Sequence, residues 1–309
     1  MTDSAAIPLG HDIYLIDAGM YGEPERMSCF LFDTPHRVLV ECGPSLSSDR
    51  LFATLDELGV DDIATLAVTH IHLDHSGGAG QFARRFPRSR VAVHSRGLRH
   101  LADPSRLWAS ATSLYGDQGT RKRWGPLEPV PQDRLHPLED GDRIQLGGSR
   151  ALQVLYTPGH ARHHVVFSDS ESGACMVGDA VGLLYPRGRM VQPTTPPPDL
   201  DPDLLVAQLH RIASLHPSYL ALGHFGTDPD CDKALAGAEE SLWRWVAWVR
   251  QDLAAGVADL GEALRRRTLD GYQAQNVADD VVALYDHNTP WPMMAAGIRN
   301  WLSRETAAD

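Results

Sequence analysis

The chain has 309 residues, 43% of them hydrophobic and 22% charged, with a formal net charge of −12. That length carries a large core in one or two domains, and without a run of about eighteen apolar residues no membrane-spanning helix is expected. The acidic balance argues against nucleic acid or another polyanion as ligand, because phosphate backbones are held by clustered Lys and Arg.

The first third alternates strands and turns. Asp12–Ile16, Met27–Phe32 and Val38–Glu41 carry β-branched or aromatic residues bounded by Gly, Pro or Asp, as short strands do. Gly43-Pro44-Ser45 leads into a helix over Asp49–Leu58, with Leu51, Phe52, Leu55 and Leu58 at helical spacing. A buried strand over Ile63–Val68 then delivers Thr69-His70-Ile71-His72-Leu73-Asp74-His75, and Ser76-Gly77-Gly78 turns into a short helix over Gly80–Phe86. In an extended segment His70, His72 and Asp74 point one way, and His75 leaves that alternation where the chain curls into the helix. Imidazole nitrogen and carboxylate oxygen together suit zinc, iron or manganese.

After a strand over Arg90–His94, residues 96–131 read as a mainly helical insertion carrying Leu101, Leu107, Trp108, Leu114, Tyr115 and Trp124. It serves either as a lid on the metal cleft or as ordinary surface packing. Arg121-Lys122-Arg123 within it, and Arg265-Arg266-Arg267 later, are the tight basic runs, and each reads as a solvated helix face. Strands over Asp142–Leu146 and Ala151–Tyr156 are joined by a hairpin turn at Gly147-Gly148. Three later segments share one grammar of apolar strand, glycine and ligand-type residue: Thr157-Pro158-Gly159-His160, Gly178-Asp179-Ala180 and Gly223-His224-Phe225-Gly226. A strand end beside glycine aims a rigidly held side chain with backbone close by.

Behind Asp179, the run Pro196-Pro197-Pro198 is neither helix nor central strand and is expected to hold an extended path past the mouth of the site. Tyr185, Arg187 and Arg189 in this loop are candidate substrate contacts. A helix over Leu204–Leu215 precedes the strand that ends at His224. The rest is helical: Leu235–Ala254, Ala258–Arg267, Asn276–Asp286 and Met293–Ser303. The first of these is apolar nearly all round, which suits packing on the metal-binding domain or, alternatively, a homodimer interface. His163 or His164 is expected to steady a ligand, and Cys42 to pack in the core.

The order HxHxDH, TPGH, GD and GH, from His70 to His224, resembles the metallo-β-lactamase-fold metallohydrolase superfamily. The resemblance implies an α/β fold, the αββα four-layer sandwich of two mixed sheets flanked by helices. It would span residues 1–230, insertion included, with a helical C-terminal extension over 231–309 packed on it. The resemblance also implies two divalent metal ions, most simply zinc, with iron or manganese as alternatives. One ion would take His70, His72 and His160, the second Asp74, His75 and His224, with Asp179 bridging.

The implied activity is a hydrolase in which a metal-bridging hydroxide attacks a small carbonyl substrate, an ester, lactone, thioester or amide. Asp74 would both ligate and orient or accept the proton of the nucleophilic water. An iron-dependent persulfide dioxygenase is the alternative on the same outline. Two subfamilies fit less well. The basic glutathione-binding residues of glutathione-thioester hydrolases have no match in this tail, and the tyrosine that acyl-homoserine lactonases carry three residues after the bridging Asp is Gly182 here. The expected partner is a small molecule, not nucleic acid or membrane. A cytoplasmic location is expected, since Met1–Pro8 lacks a basic stretch followed by an apolar core and the four cysteines form no CxxC.

Overall fold

In the computed structural model, residues 6–308 are described; Met1 to Ala5, the first part of the stretch read as lacking a secretory signal, lie outside them. The chain forms two compact units. One comprises the chain up to Tyr156 with His163–Gly178 and Pro217–Thr227, and the other comprises Thr157–Arg162, Asp179–His216 and the chain from Asp228.

In the first unit, seven strands form one sheet in chain order: β1 (Ala6–Gly10), β2 (Ile13–Asp17), β3 (Ser28–Phe32), β4 (Val38–Val40), β5 (Thr65–Ala67), β6 (Arg90–His94) and β7 (Leu135–Leu138). β1 to β4 pair antiparallel and β4 to β7 parallel, so the sheet is mixed. The second sheet is built from β8 (Arg143–Gly147), β9 (Arg150–Tyr156), β10 (Val165–Asp169), β11 (Ala174–Gly178), β12 (Tyr219–Leu222) and the two-residue β13 (Thr227–Asp228). Its order is β13-β12-β11-β10-β9-β8, antiparallel from β8 to β11 and parallel between β11 and β12.

Alternation along each strand decides the layers. Ile13, Leu15, Phe30, Phe32, Val38 and Val40 of the first sheet pack with Leu152, Val154, Val165, Phe167 and Met176 of the second, a sheet-on-sheet core. The other side chains of the first sheet, Ile16, Leu31, Leu39, Leu66, Val91 and Val93, meet Leu51 and Leu55 of α1 (Ser48–Glu57). After α1 come the one-turn α2 (Leu73–Ser76) and α3 (Ala79–Arg85), whose Phe82 joins the same core. The 96–131 segment folds as α4 (Leu98–Ala102) and α5 (Ser105–Trp124), and Leu101, Ala111 and Trp124 also enter this core. Gly116, at φ 70° and ψ 163°, kinks α5 just after Tyr115.

Besides the two-residue β13, three strands were not anticipated. β1 and β7 are edge strands that contain Pro8 and Pro137, and proline weakens a strand signal although edges tolerate it. In β10, Val165-Val166-Phe167 is a buried apolar run, but it ends on Asp169, whose carboxylate is satisfied by Arg150 at 3.2 and 2.6 Å.

The second unit contains α6 (Pro202–Ala213), α7 (Cys231–Ala254), α8 (Leu260–Ala274), α9 (Asp279–Asn288) and α10 (Trp291–Ala308). Asp201 caps α6 by accepting from the Leu204 N–H, and Asp259 caps α8 by accepting from Glu262. Trp245, Val246 and Val249 of α7 form a core with Leu264, Trp291, Met294, Ile298 and Trp301. The Arg265-Arg266-Arg267 run is largely neutralised: Arg265 grips Asp286 and Arg267 donates to Asp252. No helix among the described residues is long and apolar enough to cross a membrane.

Candidate metal centre

The His-rich segment leaves β5 extended only as far as His72, at φ −65° and ψ 151°, and α2 starts at Leu73. Alternation therefore orients His70 and His72 alone. Asp74 is already helical, a correction to the extended reading, and reaches the cluster from the first turn of α2 together with His75.

In the first unit the rings and carboxylate gather. His70 Nε2 lies 3.0 Å from His72 Nδ1, and the His70 and His75 ring centroids are 4.2 Å apart. Asp74 Oδ2 is 3.9 Å from His75 Nε2 and 4.0 Å from His224 Nε2. Asp74, His75 and His224 each offer a ligand atom, all within 4.8 Å of one another. A single cation fits a donor set of that size and type. His70 and His75 are fully buried, while Asp74 keeps 19% of its side chain exposed.

Glu41, which the sequence reading overlooked, organises this half of the site. It is buried, sits at φ 68°, and accepts a hydrogen bond from His75 Nδ1 at 3.2 Å. A non-glycine residue in the left-handed region carries strain that the surroundings must hold. The Thr69 hydroxyl donates to the same Glu41 oxygen. Its one proton is thereby spent, so towards His70 Nδ1, 2.9 Å away, it accepts. His75 thus donates from Nδ1 and His70 meets the Thr69 hydroxyl through Nδ1, so that Nε2 is the nitrogen each ring turns to the cluster, the orientation in which an imidazole binds a metal.

His163 and His164 support rather than crown the cluster. The His163 ring stacks parallel to His70 at 6.2 Å, with its Nδ1 accepting from the Ile71 N–H at 3.4 Å, and the buried His164 ring lies 5.0 Å from His70. Gly178, at φ 49°, has no room for a side chain. A Cβ there would sit 2.6 Å from Thr69 Oγ1 and 2.8 Å from His164 Nε2.

In the second unit, His160 Nε2 lies 3.4 Å from Asp179 Oδ2. Thr194, within the proline-rich loop, fixes both. Its hydroxyl donates to the Asp179 carbonyl at 3.2 Å, and its backbone carbonyl accepts from His160 Nδ1 at 3.1 Å. The His160 proton is again on Nδ1. Tyr185, Arg187 and Arg189 have partners within this unit. Tyr185 is buried and accepts from Asn288, Arg187 pairs with Asp280, and Arg189 lies between Asp228 and Asp230.

The missed residues had a signal. Val38-Leu39-Val40-Glu41-Cys42-Gly43 has the same run of apolar strand, ligand-type residue and glycine as the segments around Asp179 and His224. Cys42 packs in the core as expected, its thiol pushed well up by burial and by the Glu41 charge. Thr194 had no such marker.

Comparison with known proteins agrees with this architecture. The sequence profile of the Metallo-beta-lactamase superfamily matches residues 22–224. The chain belongs to that superfamily. It is 31% identical over 219 residues to the metallo-beta-lactamase fold-containing protein ST1585 of Sulfurisphaera tokodaii, covering 69% of this chain and 78% of that one. The crystal structure of ST1585 superposes with a TM-score of 0.63 over 76% of this chain and 86% of its own. The chain is also 32% identical over 188 residues to an acyl-coenzyme A thioesterase, MBLAC2 of Gallus gallus, with 56% of this chain and 64% of that one covered. With a hydroxyacylglutathione hydrolase of a Synechococcus species it shares 32% identity over 168 residues, covering 54% of this chain and 51% of the relative. The chain thus spans less than two thirds of each of these two hydrolases.

Proposed function

We propose that the protein is a dinuclear metal-dependent hydrolase of a small thioester. The observation that carries the reading is the Asp74, His75 and His224 triad, with ligand atoms within 4.8 Å, in a chain of this superfamily. His70 and His72 extend the set, and His160 and Asp179 join it on the order of the motifs, with Asp179 as the bridging carboxylate. Zinc suits a set of imidazoles and carboxylates best. When bound, two such ions supply Lewis acidity and an activated water at neutral pH. Thioesters are favoured over lactones and amides because two of the relatives are an acyl-coenzyme A thioesterase and a hydroxyacylglutathione hydrolase. A cytoplasmic location accords with the four buried cysteines, which form no disulfide.

The chain's own residues divide the work. Glu41 and Thr69 hold His70 and His75 in one orientation, so the ligand nitrogens do not have to reorganise. Asp74 alone of its triad reaches solvent appreciably, so it is placed to take the proton of an incoming water.

The test joins elemental analysis with a panel of chromogenic thioesters, lactones and phosphodiesters. About two zinc per chain and preferential thioester turnover, lost in Asp179→Asn together with metal, are expected. One iron per chain with oxygen uptake on a persulfide, or full activity in Asp179→Asn, would overturn the proposal.

A further inference from the structure

The basic run Arg121-Lys122-Arg123 does not behave as one solvated face. Arg121 pairs with Asp117 in solvent, whereas Arg123 turns inward, half-buried. Its guanidinium carbon stands 4.5 Å from the Tyr21 ring centroid, 5.0 Å from Tyr115 and 5.8 Å from Trp124. Its Nε donates to the Tyr21 hydroxyl at 3.0 Å. In a chain with 40 acidic against 28 basic residues, Arg123 has no carboxylate partner among the described residues, and its two terminal nitrogens are left for a ligand. A guanidinium fork of that kind, its charge sharpened by partial removal from water, matches a carboxylate bidentately.

The surroundings are built for this placement. Tyr21 and Gly22, at φ 58° and φ 80°, form the tip of a tight turn closed by mutual hydrogen bonds of 3.0 Å between Met20 and Glu23. Asn is the usual first residue of such a turn, and a bulky aromatic there is strained. Its ring gains the cation contact. On the other side, Ser45 Oγ donates to the Pro126 carbonyl at 2.6 Å and Gln81 Nε2 donates to it at 3.0 Å, which pins the end of α5. α5 packs on α2, the one-turn helix that carries Asp74 and His75. Asp74 lies near enough that, after burial and the opposing pull of Arg123, its charge raises both the Tyr21 and Tyr115 phenols.

We infer that Arg123, boxed by Tyr21, Tyr115 and Trp124 beside α2, binds a carboxylate of the substrate, so that the enzyme prefers acyl thioesters bearing one negative charge. This rests on the hydrolase reading for the thioester, but the anion site stands on its own geometry. The single cation reconciles an anionic substrate with a chain too acidic for polyanions.

The test uses two unhydrolysable thioether analogues, identical except that one ends in a carboxylate and the other in its methylamide. Both are titrated by calorimetry into the metal-loaded protein. The carboxylate analogue is expected to bind at least about tenfold more tightly at low salt, and the preference to fall as salt rises. Arg123→Gln should abolish the preference while binding the methylamide as wild type does. Arg123→Lys, which keeps the charge but not the fork, should retain only part of it and serves where Arg123→Gln does not fold. Binding of neither analogue, equal binding of both by wild type, or a preference unchanged in either variant overturns the assignment. Calorimetry needs no turnover, so a protein that hydrolyses no thioester still decides the question. Hydrolysis of neutral thioesters without a carboxylate preference removes Arg123 and leaves the hydrolase reading standing.

Discussion

Glu41→Gln is the substitution that most directly probes how the metal-binding half-site is held. Glu41 Oε1 accepts from both the Thr69 hydroxyl and His75 Nδ1, the latter at 3.2 Å, and Oε2 faces the Thr69 N–H at 3.4 Å. A glutamine has the same shape but one accepting oxygen. With that oxygen at the Oε1 position, its amide N–H groups confront the Thr69 N–H. Flipped, they confront the Thr69 hydroxyl and His75 Nδ1–H. The first orientation keeps both Oε1 bonds and sets the amide only against the Thr69 N–H, whereas the flipped one is relieved only if the donations from Thr69 and His75 are given up; in both, the negative charge behind the imidazoles is lost. Partners of this kind are worth about 10–100-fold in metal affinity, or about 1.4–2.8 kcal/mol. Because one amide orientation keeps the bonds to Thr69 and His75, the lower half of that range is expected. Zinc affinity is read by competition with a fluorescent chelator, with the fold checked by circular dichroism. A Glu41→Gln protein that binds zinc as tightly as wild type would show that the Glu41 charge does not strengthen the ligand set.

Two further substitutions test the frame around the site. Asp169→Asn should destabilise the protein by about 1–3 kcal/mol in urea unfolding, because it removes the charged fork partner of the largely buried Arg150 and leaves it only the exposed Glu171 at 3.5 Å. Burial alone would raise the Asp169 carboxyl, but the Arg150 fork and the Ser172 hydroxyl hold it below its ordinary value of 3.8. Its contribution is therefore complete above that value and lost as pH falls through the folded-state value. Wild type should lose stability in that acid window and Asp169→Asn should lose less, and parallel profiles would exclude the linkage. Gly80→Ala tests the anchorage of the insertion. A Cβ at position 80 would meet the Glu128 carbonyl oxygen at 2.2 Å, backbone that cannot swing aside. A cost of about 1–3 kcal/mol and faster proteolysis within residues 96–131 are expected, and unchanged stability would mean that this contact is slack.

What was legible in the sequence follows from how local the determinants are. The strand before His70 and the helices from α7 onward announce themselves through apolar spacing that a short window captures, and Gly159, Gly178 and Gly223 mark strand ends where a side chain must be aimed. Glu41 was hidden because its meaning is tertiary. As sequence it is one acid at a strand end, and only the pairing of β4 with β5 brings it against Thr69 and His75. Thr194 escaped for the same reason, since it lies in a loop without periodicity and acquires its role from contact with His160 and the Asp179 backbone. Arg123 illustrates the opposite error. Its neighbours in the basic run suggested a solvated face, and helical spacing does not reveal that the Gly116 kink and the Tyr21 turn bring three aromatic rings around it.

The charges in the first unit give an independent reason to place a cation beside α2. Among the described residues no Lys or Arg stands against the buried Glu41, whose nearest ring partner is His75 at 3.2 Å. Elsewhere in the same unit the fold does not leave a buried carboxylate so. Asp17 has Arg50 at 2.7 Å and Asp169 has Arg150 at 2.6 Å. Removing an uncompensated carboxylate from water costs several kcal/mol, more than its accepted hydrogen bonds return on their own. The cost is met if positive charge stands just beyond the imidazoles, where Asp74, His75 and His224 converge. Glu41 would then act through His75 on that charge, as carboxylates behind metal-binding histidines do, and a site of imidazoles backed by acid would be held together by the ion it binds.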